Sequence, residues 1–146
     1  MTDHATDHAW NWSIEKQIPS IAGEGKKIVD ELLVKLSELG WEEHDVFGIH
    51  LAVEEALVNA IKHGNQDNPE KFVDVILLLS TEKFYIKVTD QGAGFNPMEV
   101  PDPTDDDNID LPSGRGLMLM RSFMSLVEYN DKGNSVQMGK DKTHLS

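Results

Sequence analysis

The stretch from Leu51 to Asn65, L-A-V-E-E-A-L-V-N-A-I-K-H-G-N, limits most strongly what this chain can fold into. At about 100° per residue, Val46, Ile49, Val53, Leu57, Ala60 and Ile61 fall on one broad side of a helix, and Glu55, Asn59, Lys62 and Gln66 line the other. The apolar side needs a sheet to cover it, which leaves the polar stripe facing outward.

Glu55 and Asn59 are one turn apart and can reach the same small object along the helix. The Asn59 amide oxygen suits Mg²⁺, an ion that keeps most of its waters and takes few protein ligands. Lys62 offers a point charge to phosphate, and Glu55 can hold a water or hydroxyl as a general base. Glu54 points about 100° away from Glu55. The same pattern also fits a solvated polar face on an amphipathic helix.

The chain has 146 residues, 39% hydrophobic and 27% charged, which fits one globular domain with one core. Residues 1–9 read as a disordered tail, and 10–146 as the domain. A formal net charge of -13 argues against nucleic acid or an anionic membrane as the main partner. With no cysteine, disulfides, thiol catalysis and Cys-ligated metals are excluded. No apolar run is long enough to span a bilayer, and the acidic N-terminus is not a signal peptide, so the expected location is the cytoplasm. His4 and His8 have no scaffold around them to make a metal site.

In chain order, Trp10, Trp12 and Ile14 alternate with polar residues in a strand that ends at Pro19. Ser20 is positioned to cap a helix running to Leu39, with Gly40 as its stop and Gly23 and Gly25 weakening its first turn. After the central helix, residues Phe72 to Ser80 and Phe84 to Thr89 form an antiparallel hairpin.

The hairpin runs into D-Q-G-A-G-F, where Gly92 and Gly94 allow positive φ and close approach to a flat ligand. Asp90, fixed at a strand end, is an acceptor for an adenine amino group. An ordinary turn after a strand reads the same way. Asn96 to Pro112 holds four prolines and six acids with no basic residue, a functional lid or a disordered loop without the ligand spacing of a calcium site.

In S-G-R-G-L-M-L-M-R-S-F-M, Leu117, Met120, Phe123 and Met124 keep helical spacing. Gly114, Arg115 and Gly116 therefore sit at a helix N-terminus, where free amides, the dipole and the guanidinium favour an anion. Val127 to Asn130 and Ser135 to Met138 are expected as two last strands about the Asp131-Lys132-Gly133 turn.

Taken in order, these pieces resemble the GHKL ATP-binding superfamily with its Bergerat fold. E-A-L-V-N-A-I-K-H-G resembles the N-box, D-Q-G-A-G-F the first glycine box, the acidic span the ATP lid, and S-G-R-G-L-M-L-M the second glycine box. The Glu-x-x-x-Asn followed by His63-Gly64 is most similar to anti-sigma-factor serine kinases. The resemblance implies an α+β two-layer sandwich, with a mixed, mainly antiparallel sheet carrying three helices on one face.

It also implies Mg²⁺ and ATP as cofactors, Glu55 as catalytic base and Asn59 as metal ligand. Asn59, Lys62, His63, Asp90, Gly92, Gly94, Gly114, Arg115, Gly116 and Leu117 are the implied nucleotide contacts. The implied partners are a STAS-domain anti-anti-sigma protein, phosphorylated on serine, and a sigma factor, with a homodimer as the implied assembly. Gly133-Asn134-Ser135 departs from the family's frequent Gly-Thr pair. A nucleotide-dependent regulator that binds its partner without transferring phosphate is the alternative.

Overall fold

Alternation in the apolar segments sets the sheet. Val73, Val75, Leu77 and Leu79, and likewise Phe84, Ile86 and Val88, stand at alternate positions and are all buried, so both segments present one apolar row to a covering layer. The computed structural model describes residues 10–92 and 114–143, with the backbone alone at 114–117 and 119. The expectations for the tail at 1–9, for Gly94 and for the span from Asn96 to Pro112 lie outside the described residues.

The elements are β1 (Trp12–Pro19), α1 (Ala22–Glu38), α2 (Glu43–Val58), a π-helical turn (Asn59–Gly64), β2 (Phe72–Leu79), β3 (Lys83–Thr89), α3 (Gly114–Phe123), β4 (Leu126–Tyr129) and β5 (Ser135–Asp141). The strands run in the order β1-β2-β3-β5-β4. The sheet was expected to be mixed and mainly antiparallel; all four ladders among the described residues are antiparallel.

Ile49, Ala52 and Val53 of α2 are fully buried in one cluster with Ile28 and Leu32 of α1 and with the inner rows of β2, β3 and β5. Burying each such branched side chain contributes about 1.5–3 kcal/mol, which makes α2 the central beam of the helical layer. Glu15, Gln17 and Asp74 are exposed on the opposite face of the sheet.

Glycines set two distances in that layer. A Cβ on Gly48 would lie 2.6 to 2.9 Å from Phe123, so α3 rests directly on the α2 backbone. A Cβ on Gly25 would come within 3.1 Å of Ile61, so this glycine lets α1 approach α2 as well as loosening the first turn of α1. Gly40, at φ 78°, stops α1 as expected.

The capping expectation for Ser20 is corrected. The N-cap of α1 is Ile21, and it makes no side-chain capping bond. Ser20 Oγ instead donates to the Lys71 carbonyl at 2.8 Å and accepts from Asn65 Nδ2 at 2.8 Å. These two long-range bonds take the hydroxyl proton and one lone pair and hold the side chain in place between Lys71 and Asn65, so it does not cap the helix.

Candidate functional site

The helix that carries the polar stripe changes its winding where the stripe begins to matter. From Asn59 the backbone bonds lengthen their reach: Asn65 N–H finds Ala60 O at 2.9 Å and Asp67 N–H finds Ile61 O at 2.8 Å. A π turn takes in an extra residue, so each side chain advances less around the axis than in an α-helix.

The consequence is a change of partner. In a uniform α-helix Lys62 would follow Glu55 and Asn59 on one line. In the wider turn His63 returns to that line, and its charge acts on the Glu55 carboxyl. Lys62 is turned aside into a cavity of about 480 Å³ between α1 and α2, shared with Glu54, Val58 and Val29. Gln66 leaves the helix altogether, with φ 54°. The single stripe of Glu55, Asn59, Lys62 and Gln66 is thus corrected to Glu55, Asn59 and His63.

Burial sharpens the character of this face. Asn59 is 8% exposed. Its Nδ2 and the Nδ1 of His63 are buried and have no hydrogen-bond partner among the described residues. A buried amide left open in this way loses roughly 1–3 kcal/mol unless something arrives to bond it.

Glu55 is half-buried, and burial lifts its carboxyl above the usual range; His63 works against that lift and Glu54 adds to it. Tyr129, from the edge strand β4, closes the far side. Burial pushes its phenol up to about 12, with the Asn59 amide beside it holding it down and the Glu55 charge raising it further. Glu54 points away, exposed, with its carboxylate 3.1 Å from His50 Nε2.

The second wall is the end of β3. Asp90 Oδ1 accepts from Gly92 N–H at 2.7 Å. Burial raises the Asp90 carboxyl, against the lowering effects of that bond and of Lys132 and Lys71. Gly64 and Gly92 meet here with no room for side chains: a Cβ on Gly64 would strike the Asp90 carboxylate, and one on Gly92 would strike the Gly64 carbonyl. The His63-Gly64 pair therefore docks the end of the π turn onto the strand that carries Asp90.

Asn65 locks that junction. Fully buried, it donates to Ser20 Oγ and to the Phe72 carbonyl at 3.0 Å, and its Oδ1 accepts from Gln91 N–H at 2.8 Å. Gly114 to Leu117 open α3. The side chains of Arg115 and Leu117 lie outside the described residues.

The residues brought together are Glu55, Asn59, His63 and Asp90, with Gly64 and Gly92 between them. Tyr129, Asn65, Asn130 and Asn134 also shape this region and were not singled out as site residues from the sequence. The asparagines had one visible signal: Asn clusters at chain reversals because its amide bonds nearby backbone.

The donor set suits a nucleotide with its metal. Among the described residues there is no group of three or more His, Cys, Asp or Glu that would hold a metal alone. The amide oxygen of Asn59, with the Glu55 carboxylate one turn away, is the donor type that fits an ion bringing most of its own ligands, and the open Nδ2, an N–H donor, fits an acceptor such as a phosphate oxygen.

A five-stranded antiparallel sheet under three helices, with an Asn-bearing central helix facing an Asp at a strand end, defines a GHKL-type ATP-binding domain. Residues 25–140 match the histidine kinase-like ATPase domain, and the chain belongs to that family.

Among similar proteins, the anti-sigma F factor of Bacillus cytotoxicus is 37% identical over 82 residues, covering 55% of this chain and 56% of that protein. The serine-protein kinase RsbW of Staphylococcus aureus strain JH9 is 28% identical over 135 residues, covering 87% of this chain and 85% of that protein. The crystal structure of the RsbU and RsbW domains of Rv1364c from Mycobacterium tuberculosis has the same fold, with a TM-score of 0.58 at 16% identity. That match covers 90% of this chain and 32% of the other. The chain thus spans about half of the anti-sigma F factor and a third of the mycobacterial chain.

Proposed function

We propose that this protein is an Mg²⁺-ATP-dependent serine kinase of the anti-sigma type, which phosphorylates a serine on a STAS-domain anti-anti-sigma partner and sequesters a sigma factor. The observation that carries the reading is the line of Glu55, Asn59 and His63, which includes two buried nitrogens without partners among the described residues and ends at Gly64, packed against the Asp90 carboxylate. Similarity to an anti-sigma F factor and to RsbW kinases supports the choice of partner class. No helix among the described residues is long and apolar enough to cross a membrane. The cytoplasm, where sigma factors act, and a homodimeric assembly belong to the same proposal.

In this reading Asp90 receives the adenine amino group. Asn59, through its amide oxygen, would hold Mg²⁺, which would offset the charge of the phosphates. By the family resemblance Gly92, Gly94 and Gly114 to Leu117 would contact the nucleotide, with Arg115 and His63 assigned to its phosphates. Lys62, turned toward the groove between α1 and α2, is left out of the phosphate contacts.

Glu55 removes the proton from the serine hydroxyl. The serine oxygen then bonds to the γ-phosphorus as the bond from that phosphorus to the β,γ-bridging oxygen breaks, giving phosphoserine and ADP, and Glu55 returns its proton to solvent. Burial of Glu55 fits the task, since a raised carboxyl pKa makes a stronger base.

Incubating the protein with γ-labelled ATP, Mg²⁺ and candidate STAS partners tests the proposal. Label on a partner serine is the expected result. Nucleotide-dependent partner binding with no labelled serine would instead establish a binding regulator that transfers no phosphate.

A further inference from the structure

The β4–β5 turn reaches across to the strand that carries Asp90. The β3–β5 ladder ends at Thr89 opposite Ser135, and Asp90 lies just beyond it. There a single residue takes hold of both sides of Asp90: its N–H donates to the Asn134 carbonyl at 2.8 Å, and its own carbonyl accepts from Asn134 Nδ2 at 2.9 Å.

Asn134 is itself aimed. Its Oδ1 accepts from Asn130 Nδ2 at 2.7 Å, which fixes the direction of its amino group. Asn130 Oδ1 in turn accepts from the N–H groups of Gly133, Asn134 and Ser135 at 2.8, 3.0 and 3.1 Å. Gly133, at φ 81°, supplies the left-handed residue that folds the turn back on this side chain. From the opposite side Asn65, with no exposed surface, binds the next peptide at Gln91.

We infer that Asn134, aimed by Asn130, is a positioning residue for base selectivity. It fixes the Asp90 backbone so that the carboxylate meets the bound base as an acceptor. One carboxylate oxygen is occupied by Gly92 N–H, so the acceptor presented to a ligand depends on how the Asp90 peptide is held. A base with an exocyclic amino group at that edge donates to it. A base with a carbonyl there sets two acceptors against each other, and an immobile carboxylate cannot turn away.

The inference rests on the nucleotide-binding reading of Asp90, and the experiment separates the two. ATP and inosine triphosphate differ only along one edge of the base, where the 6-amino donor becomes a carbonyl acceptor and the neighbouring N1 acceptor becomes an N–H donor. Their affinities would be measured for the unmodified protein, Asn134→Asp, Asn130→Ala and Asp131→Ala. Asn134→Asp keeps shape and loses the donor; Asp131 is an exposed turn residue that controls for general loosening of the hairpin. Circular dichroism verifies that each variant is folded.

The expected result is a preference for ATP in the unmodified protein that falls about tenfold in Asn134→Asp and in Asn130→Ala and is kept in Asp131→Ala. A merely structural role would weaken both nucleotides alike and leave their ratio unchanged. An unchanged ratio in folded Asn134→Asp and Asn130→Ala overturns the inference and leaves the kinase reading standing. Equal affinity for the two nucleotides in the unmodified protein also overturns it. Failure to bind either one overturns both readings.

Discussion

The two ends of α2 treat buried polar groups in opposite ways. At the N-terminal end Asp45 is fully buried and fully bonded: its carboxylate accepts from Thr143 N–H at 2.9 Å and Thr143 Oγ1 at 2.8 Å, and lies 3.5 Å from Lys140 Nζ. At the C-terminal end Asn59 Nδ2 and His63 Nδ1 are buried with no partner among the described residues. One end ties the last strand to the helix layer. The other leaves polar groups open at the proposed nucleotide site. Satisfied burial marks structure, and open burial marks a binding face.

Replacing Glu55 by Gln breaks this contrast most severely on the functional side. Phosphate transfer to the proposed STAS partner is expected to fall by about 10²–10⁴, the usual worth of a general base, with ATP affinity nearly unchanged. Glu54→Gln, on the exposed pair with His50, is expected to leave transfer intact. Timed transfer assays beside ATP titrations measure both; full transfer by Glu55→Gln would remove this residue from the chemistry.

At the structural end, Asp45→Ala leaves Lys140 and the Thr143 donors without their shared acceptor. A loss of about 3 kcal/mol in unfolding free energy is expected by denaturant titration, with ATP affinity preserved in the folded fraction. A loss below 1 kcal/mol would mean that this end is not the anchor its geometry indicates.

Asn59→Ala sharpens the comparison because its two effects separate. Mg²⁺-dependent ATP affinity is expected to drop by tenfold or more, while stability stays within about 1 kcal/mol of the unmodified protein, since an amide nitrogen with no partner is removed. Calorimetric titration with and without Mg²⁺ beside thermal melts decides it. A large stability loss with normal ATP binding would reverse the assignment of the two ends.

The smallest effect expected is a pair of opposite pH slopes. Asp45 is shifted below the usual carboxylate range: burial alone would raise it, but the two Thr143 bonds and Lys140 outweigh burial. Its stabilisation is complete above about pH 4 and is lost as the pH falls through the folded value. Glu55 is shifted upward by burial, so the folded state holds its proton more tightly than the unfolded chain does. Its contribution is complete below about pH 4 and is lost as the pH rises through the folded value. Melting curves from acid to neutral pH are expected to show a shallower acid limb in Asp45→Asn and, in Glu55→Gln, loss of the decline in stability that ionisation of Glu55 brings as the pH rises above about 4; an unchanged acid limb in Asp45→Asn would count against the first assignment.

Much of the architecture could be read directly. Alternating apolar residues marked β2 and β3, and Gly40 marked the end of α1, because those signals act within a few residues of themselves. The site was legible in its residue types and less so in its phase. A fixed helical period puts Lys62 beside Glu55 and Asn59, and nothing local in N-A-I-K-H-G announces the wider turn that exchanges Lys62 for His63. That turn is settled by the docking of Gly64 on Asp90, a contact made across 26 residues of chain. The same holds for Ser20, whose capping tendency yields to partners at Lys71 and Asn65, and for Asp45, an unremarkable first-turn acid until Thr143 reaches it.

The β3–β5 ladder, from Lys83 opposite Asp141 to Thr89 opposite Ser135, has a consequence for tolerance of insertions and deletions. It closes the chain on both sides of residues 93–113, so the framework that carries Asp90 is joined without relying on how long that intervening segment is. Each doubling of the length of chain between two joined elements adds only about 0.6 kcal/mol to the cost of joining them. Changing the number of residues between Gly92 and Gly114 is therefore expected to cost this framework little.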